Sequence, residues 1–277
     1  MKVIKFIFLM GILSYSIYYI NNNFNIDNIT EITNINEKQN NTINDMINIL
    51  NNKDINNVSS LLSFKTSTSI KKENKEQKVY LPKVYLYNTH QVEEYEETFY
   101  NIKPTVLTVS NMIKEELKNN NIYSLVEEKS IKNELVKRKL DYSYSYRISR
   151  EYLEETRKKY PTITYFFDIH RDSINKKLSS VKIDDKSYAK VMFIVTKKNN
   201  NYKENEKNVK IMEEYLNNNY NGILRNTYYQ PLYVYNQDIN STTFLIEVGG
   251  PYNTLEEIYN TSVALSNAIT YLIKEKQ

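Results

Sequence analysis

The sequence predicts an α/β fold: a mixed, mostly parallel sheet covered by helices on both faces. Three stretches carry that prediction. Lys83-Val84-Tyr85-Leu86-Tyr87-Asn88-Thr89-His90 and Thr164-Tyr165-Phe166-Phe167-Asp168-Ile169-His170 are β-branched and aromatic runs, each ending at one of the two histidines in the chain. Thr242-Thr243-Phe244-Leu245-Ile246-Glu247-Val248-Gly249-Gly250 repeats the design with a carboxylate. Short apolar runs closed by polar residues read as buried strands. The segments between them carry helical spacing, and strands alternating with helices give a sheet with both faces covered.

From Val3 to Ile20 the chain is apolar apart from Lys5 and a few small or hydroxylated residues, near the roughly 20 residues a helix needs to span a bilayer. Lys2 and Lys5 sit at its start and Asp27 and Glu31 follow it, so the amino terminus is expected in the cytoplasm and the remainder outside. Asn21-Asn22-Asn23 stands where a cleaved signal would place small residues, which favours a retained anchor over residues 1–20. Residues 21–77 are Asn-rich and poor in aromatics, a composition that buries too little apolar surface to offset chain entropy and reads as a tether. Two short amphipathic stretches inside it, Ile43 to Leu50 and Ile55 to Leu62, fit equally a docking surface or a transient helix, since asparagine supports helices poorly.

The globular part is expected over residues 78–277. After the His90 strand, Val106, Val109, Ile113 and Leu117 form one face of a helix that stops at Asn119-Asn120-Asn121. Ile122 to Val126 suits a strand. Ser143 to Tyr160 is a charged amphipathic helix ended by Pro161, and the His170 strand follows. Ala189 to Thr196 reads as a strand and Val209 to Tyr220 as a helix. After the Glu247 strand and Gly249-Gly250-Pro251, Thr254 opens a last helix through Ile273, with Glu256 and Glu257 where the helix dipole favours negative charge.

A net charge of +4 over 277 residues gives no ground for nucleic-acid binding, which needs a concentrated basic face. Cysteine is absent, so neither a disulfide nor a thiolate nucleophile is available. The abundance of Asn, Ile, Lys and Tyr fits codon bias, and individual tyrosines are discounted accordingly. In open α/β sheets the strand ends gather ligands and catalytic groups. Two imidazoles and at least one carboxylate at one sheet edge make a zinc site with an open position for water. Either histidine alone fits equally a satisfied polar residue after a strand. Asp168 lies two residues before His170, on the same face of a strand, and suits either an orienting partner for an imidazole or a buried, salt-bridged acid. Arg171 and Asp172 suit a mutual pair, or Arg171 suits a bidentate grip on a carboxylate. Asn236, Gln237 and Asp238 read as groove-lining residues or as ordinary loop chemistry.

Asn88-Thr89-His90-Gln91-Val92-Glu93, Asp168-Ile169-His170-Arg171-Asp172, Tyr235-Asn236-Gln237-Asp238 and Ile246-Glu247-Val248-Gly249-Gly250 with Asn253-Thr254-x-Glu256, in this order and spacing over residues 79–275, resemble the stage II sporulation protein P family. These are membrane-anchored peptidoglycan hydrolases of endospore formers, related to zinc-dependent N-acetylmuramoyl-L-alanine amidases. The resemblance implies an amidase-type α/β fold, a Zn²⁺ cofactor on His90, Glu93 and His170, and Glu247 as the catalytic carboxylate. It implies cleavage of the amide between the lactyl group of muramic acid and L-alanine, with endopeptidase action on cross-links as a second activity. It also implies work beside a lytic transglycosylase of the stage II sporulation protein D type during engulfment. Glu94, Glu96 and Glu97 compete with Glu93 for the ligand role. Two departures stand out: many family members have histidine where this chain has Asn88, and the glycine-rich turn of the wider amidase group is missing. Two rival readings remain open. One is a metal-free glycan hydrolase using Glu93 and Glu247; the other is a wall-binding scaffold without catalysis.

Overall fold

The computed structural model describes residues 80–96 and 103–276; the expected anchor and tether, residues 1–20 and 21–77, lie outside them. Among the described residues no helix is long and apolar enough to cross a membrane.

Six strands form the main sheet in the order β2-β1-β3-β8-β6-β7: β1 Val84–Tyr87, β2 Ser124–Val126, β3 Tyr165–His170, β6 Val191–Thr196, β7 Tyr228–Gln230 and β8 Thr243–Val248. β2, β1, β3 and β8 run parallel, β6 is antiparallel to β8, and β7 is parallel to β6. The sheet is therefore mixed and mostly parallel. β3 is buried at every position, as expected of a strand with helices on both sides. Alternation along the strands sorts their residues. Tyr85, Tyr87 and Phe166 pack with Leu153 and Ile163 on one face, whereas Phe167 stacks on Phe244 on the other, ring centroids 5.0 Å apart.

The second face is covered by α1 (Val106–Asn119), α5 (Tyr202–Asn219) and α6 (Leu255–Glu275), which pack on one another. α1 buries Val106, Val109, Ile113 and Leu117, the spacing of one helical face. α6 is held at its start by a capping box: Thr254 Oγ1 accepts from the Glu257 backbone at 3.2 Å, and Glu257 Oε2 accepts from Thr254 N at 2.7 Å. The first face is covered by α3 (Ser145–Lys159), preceded by α2 (Ile131–Arg138) and a 3₁₀ turn at Tyr142–Tyr144.

Several elements differ from expectation. The strand expected from Ala189 to Thr196 is two strands: Ala189 ends a hairpin, β4 (Ser180–Ile183) with β5 (Lys186–Ala189), and β6 starts at Val191. A residue in the left-handed region, Asp184 at φ +50°, makes the hairpin turn. A four-residue helix, α4 (Lys176–Ser179), precedes it. α5 begins at Tyr202 rather than near Val209 because Asn205 and Asn208 are buried and donate to backbone carbonyls of the 241–243 segment. α2 and β7 were not expected. α2 buries only Ile131 and Leu135, too sparse a pattern to signal a helix without α3 beside it.

Candidate active site

The parity of the strands decides which side chains meet. Asp168 and His170 of β3 share the face of Phe166, and Glu247 of β8 is in direct register with His170, so all three project beneath α3 at the carboxyl-terminal edge of the sheet. His90 lies three residues past the end of β1, the neighbouring strand. Its ring stands perpendicular to that of His170, centroids 5.2 Å apart. The turn after it, closed by Glu93 N donating to His90 O at 3.0 Å, brings the Glu93 carboxylate to the same place. Glu93 Oε2 lies 3.5 Å from His170 Nδ1 and accepts the Arg171 backbone N–H at 3.0 Å. Glu94 and Glu96 face Lys103 instead, at 3.8 and 3.4 Å; Glu97 lies outside the described residues.

A buried polar scaffold holds β3 in place. Thr89 donates to Asp168 twice, from its backbone at 2.8 Å and from its hydroxyl at 2.6 Å. Asn88 is satisfied: its Nδ2 donates to Ile169 O at 2.7 Å and its Oδ1 accepts from Ser110 at 3.1 Å. Asp168 Oδ1 lies 3.0 Å from His170 Nε2. The contact holds the imidazolium form of the ring against a buried carboxylate. Gly249, at φ +65°, follows β8; a Cβ there would sit 2.4 Å from Asn253 Oδ1. That oxygen instead accepts Gly250 N–H at 2.8 Å.

Two expected roles are corrected. Asp172 does not pair with the Arg171 side chain: its carboxylate takes Arg225 at 2.6 Å. The Arg171 guanidinium donates through Nε to the Glu94 carbonyl and through Nη1 to the Asp172 carbonyl. Gln237 lines no groove. It is fully buried and ties the 231–242 segment to β6 through Ile194 O at 2.7 Å and Thr196 N at 3.0 Å. Asn236 is likewise buried, donating to Ser149 Oγ at 3.0 Å, and Asp238 pairs with Arg150 at 2.6 Å. Conversely, sequence reasoning missed Arg225, Ser149, Tyr142 and Tyr146, and quoted Thr89 and Tyr235 in its motifs without giving them a role. Tyr142 stacks on His90 at 4.9 Å and Tyr146 meets its edge at 5.6 Å.

Burial lifts the Glu247 carboxyl to about 7, with His170 pulling it back and Glu93, Asp172 and Asp168 adding to the rise. At His170 burial disfavours the imidazolium, yet Asp168 and Glu93 outweigh it and hold the group well above its usual range. Burial, then the neighbouring His170 charge, push His90 down. The two imidazoles thus stand in opposite protonation regimes within one site, a pattern of functional sites.

Among the described residues, no group of three or more His, Asp or Glu converges closely enough to hold a metal ion as it stands. The donor set nevertheless fits zinc in kind. His90 Nδ1 and Glu247 Oε2 are buried polar atoms without a hydrogen-bond partner, and His170 turns Nε2 to Asp168 and Nδ1 to Glu93. The 3.5 Å between His170 Nδ1 and Glu93 Oε2 is near the roughly 3.3 Å that separates two ligands of a tetrahedral zinc with bonds of about 2.0–2.1 Å.

A family model described as stage II sporulation protein P (SpoIIP) matches residues 10–270. Stage II sporulation protein P of Bacillus subtilis (strain 168) is 30% identical over 200 residues, covering 68% of this chain and 50% of that protein. The chain therefore spans about half the length of the curated relative it matches. Among solved structures, the CwlD amidase of Clostridioides difficile, in complex with the GerS lipoprotein, is similar with a TM-score of 0.46 and 14% identity, over 70% of this chain and 97% of that one. The N-acetylmuramoyl-L-alanine amidase AmiC2 of Nostoc punctiforme is similar with a TM-score of 0.41 and 9% identity, over 70% and 96% of the two chains.

Proposed function

The chain belongs to the stage II sporulation protein P family, and on that premise we propose that it is a peptidoglycan hydrolase of sporulation that cleaves the amide between the muramic acid lactyl group and L-alanine. Peptide cross-links are a second substrate in this reading. The observation that carries it is the meeting of two imidazoles and two carboxylates at one sheet edge: the His90 and His170 rings are 5.2 Å apart, Glu93 Oε2 lies 3.5 Å from His170 Nδ1, and Glu247 is in register with His170. His90 Nδ1 and Glu247 Oε2 are buried there without a hydrogen-bond partner, and an unpaired buried polar atom costs about 1–3 kcal/mol, a burden that a purely structural or scaffold module has no reason to keep.

In this reading His90, Glu93 and His170 hold zinc. When bound, the ion would supply Lewis-acid activation of a water and of the scissile carbonyl. Glu247 takes the proton of the attacking water at its carboxylate and delivers it to the departing nitrogen. A carboxyl near 7 suits both halves of that task, because a general base and acid work best near the ambient pH. Asp168, held by Thr89, fixes the His170 ring from the far side, as outer-sphere carboxylates do for metal-bound histidines. Residues 3–20 as an anchor with the site outside the membrane, and a lytic transglycosylase of the stage II sporulation protein D type as partner, belong to the same proposal.

Digestion of purified peptidoglycan followed by mass spectrometry tests it. New alanine amino termini, lost on chelation and restored by zinc, are the expected products. New reducing sugars in their place would point to Glu93 and Glu247 acting without metal, and the absence of any product from zinc-loaded protein would leave only wall binding.

A further inference from the structure

An aromatic track leads away from the site. Tyr142 stacks on His90 at 4.9 Å, Tyr146 meets the His90 edge at 5.6 Å, Tyr235 lies against Tyr146 at 4.9 Å, and Tyr233 stacks on Tyr235 at 5.8 Å. Tyr146 and Tyr235 are half-buried, whereas Tyr142 and Tyr233 are 50% and 60% exposed. We propose that this track is a saccharide subsite in which Tyr142, Tyr235 and Tyr233 stack on successive N-acetylated hexosamine rings of a glycan strand, while Tyr146 anchors the track beside the histidines.

Three observations support it. First, Tyr235 and Asn236 both have positive φ, +49° and +59°, and a bulky residue there is a costly exception. The strained pair is held by Asn236 on Ser149, by Gln237 on both sides of its amide, and by Thr196 donating to the Tyr233 carbonyl. Strain that surrounding bonds enforce is characteristic of functional segments, and here it aims the Tyr235 ring at Tyr146. Second, exposed tyrosines in a row present flat apolar faces with polar rims, the surface that matches the C–H face and hydroxyl edge of a sugar ring. Third, the Arg150 guanidinium beside the track is already taken, by Glu154 at 2.7 Å and Asp238 at 2.6 Å. A neutral ring fits there better than a charged peptide.

The proposal rests on the peptidoglycan reading and refines it, so binding is measured apart from turnover. The full chain, kept in chelator, is titrated with chitotetraose and separately with a free stem peptide, by saturation-transfer NMR. Chitotetraose is expected to bind, Tyr233→Ala to weaken it about fivefold, as loss of one ring contact would, and Tyr233→Phe to retain it. The stem peptide is expected to be indifferent to both variants. Absence of chitotetraose binding, or equal binding by Tyr233→Ala, overturns the subsite, as does a loss confined to the peptide. Sugar binding by a protein that releases nothing from the wall would remove the hydrolase reading and leave the subsite standing.

Discussion

Replacing Glu247 by glutamine is expected to stabilise the metal-free chain above neutral pH while ending its hydrolytic activity. The folded carboxyl titrates at about 7 against an ordinary 4.5, chiefly because it is buried. The folded state therefore holds a proton that the unfolded state has released between these two values, and stability falls as pH rises through that window. Above pH 7 the loss is complete. Each unit is worth about 1.4 kcal/mol, so the full effect is about 3 kcal/mol. That figure is a ceiling: Oε2 is sealed off, but the residue as a whole keeps some solvent contact. Glutamine does not titrate, so the variant's profile lacks this descent. Urea denaturation in chelator, from about pH 4.5 to about pH 8, should show the variant gaining on the native chain by up to about 3 kcal/mol across the window and by nothing further beyond it. Two parallel profiles would refute the buried, proton-holding carboxyl, and with it the physical basis for Glu247 as base and acid. A variant that is more stable yet inactive would match the usual trade between activity and stability at a strained site.

Zinc affinity should rise as pH is raised above the usual imidazole range, because the His170 imidazole that Asp168 and Glu93 keep protonated must shed a proton before a ring nitrogen accepts a metal. Calorimetry in buffers of different protonation enthalpy would reveal the released proton, and a flat affinity would contradict it. Thr89→Val removes the hydroxyl on Asp168 Oδ2 and leaves the backbone donor. The expected loss is about 1.5–3 kcal/mol in stability, as for a bond to a charged group, with about tenfold weaker zinc binding; unchanged zinc binding would separate Asp168 from the metal site. Gly249→Ala puts a Cβ against Asn253 in a left-handed backbone and should cost about 2 kcal/mol or more in thermal or urea denaturation. A neutral substitution there would show that the turn after β8 readily rearranges.

The sheet was legible because its central strands announce themselves: Val84 to Tyr87, Tyr165 to His170 and Thr243 to Val248 are apolar on both faces and end in polar groups. The convergence of His90, His170 and Glu247 followed from the rule that strand ends collect ligands, without knowledge of register. The 180–189 hairpin stayed hidden because its two strands are half-exposed and merge at Ala189 with the buried run of β6. Arg225 was invisible for another reason. It reaches Asp172 from the loop before β7, and no local pattern marks a pairing partner 53 residues away. Tyr142, Tyr146 and Tyr233 were lost in a background of 26 tyrosines, where composition removes the signal of a single ring, and Tyr235 stood out only as part of a motif. Gln237 misled because a polar residue in a loop looks like a groove residue, whereas burial turned its amide into a brace for β6.

The same polar residues that build the site also fix the register of the strands that deliver it. A parallel strand buried on both faces gains little specificity from its apolar residues, since a slip by one position exchanges one hydrophobic surface for another. In β3 the slip would instead carry Asp168 and His170 to the face of Phe167, toward the layer of α1, α5 and α6, where Thr89 could no longer donate to the carboxylate. It would also break the bond from Asn88 to Ile169 O. In β8 it would move Glu247 away from His170, its partner in the present register, into an apolar layer where an uncompensated carboxylate is heavily penalised. The polar groups thus act as keys in otherwise interchangeable strands. The strand ends carry function, and the alignment of the central sheet is set by the chemistry at its edge.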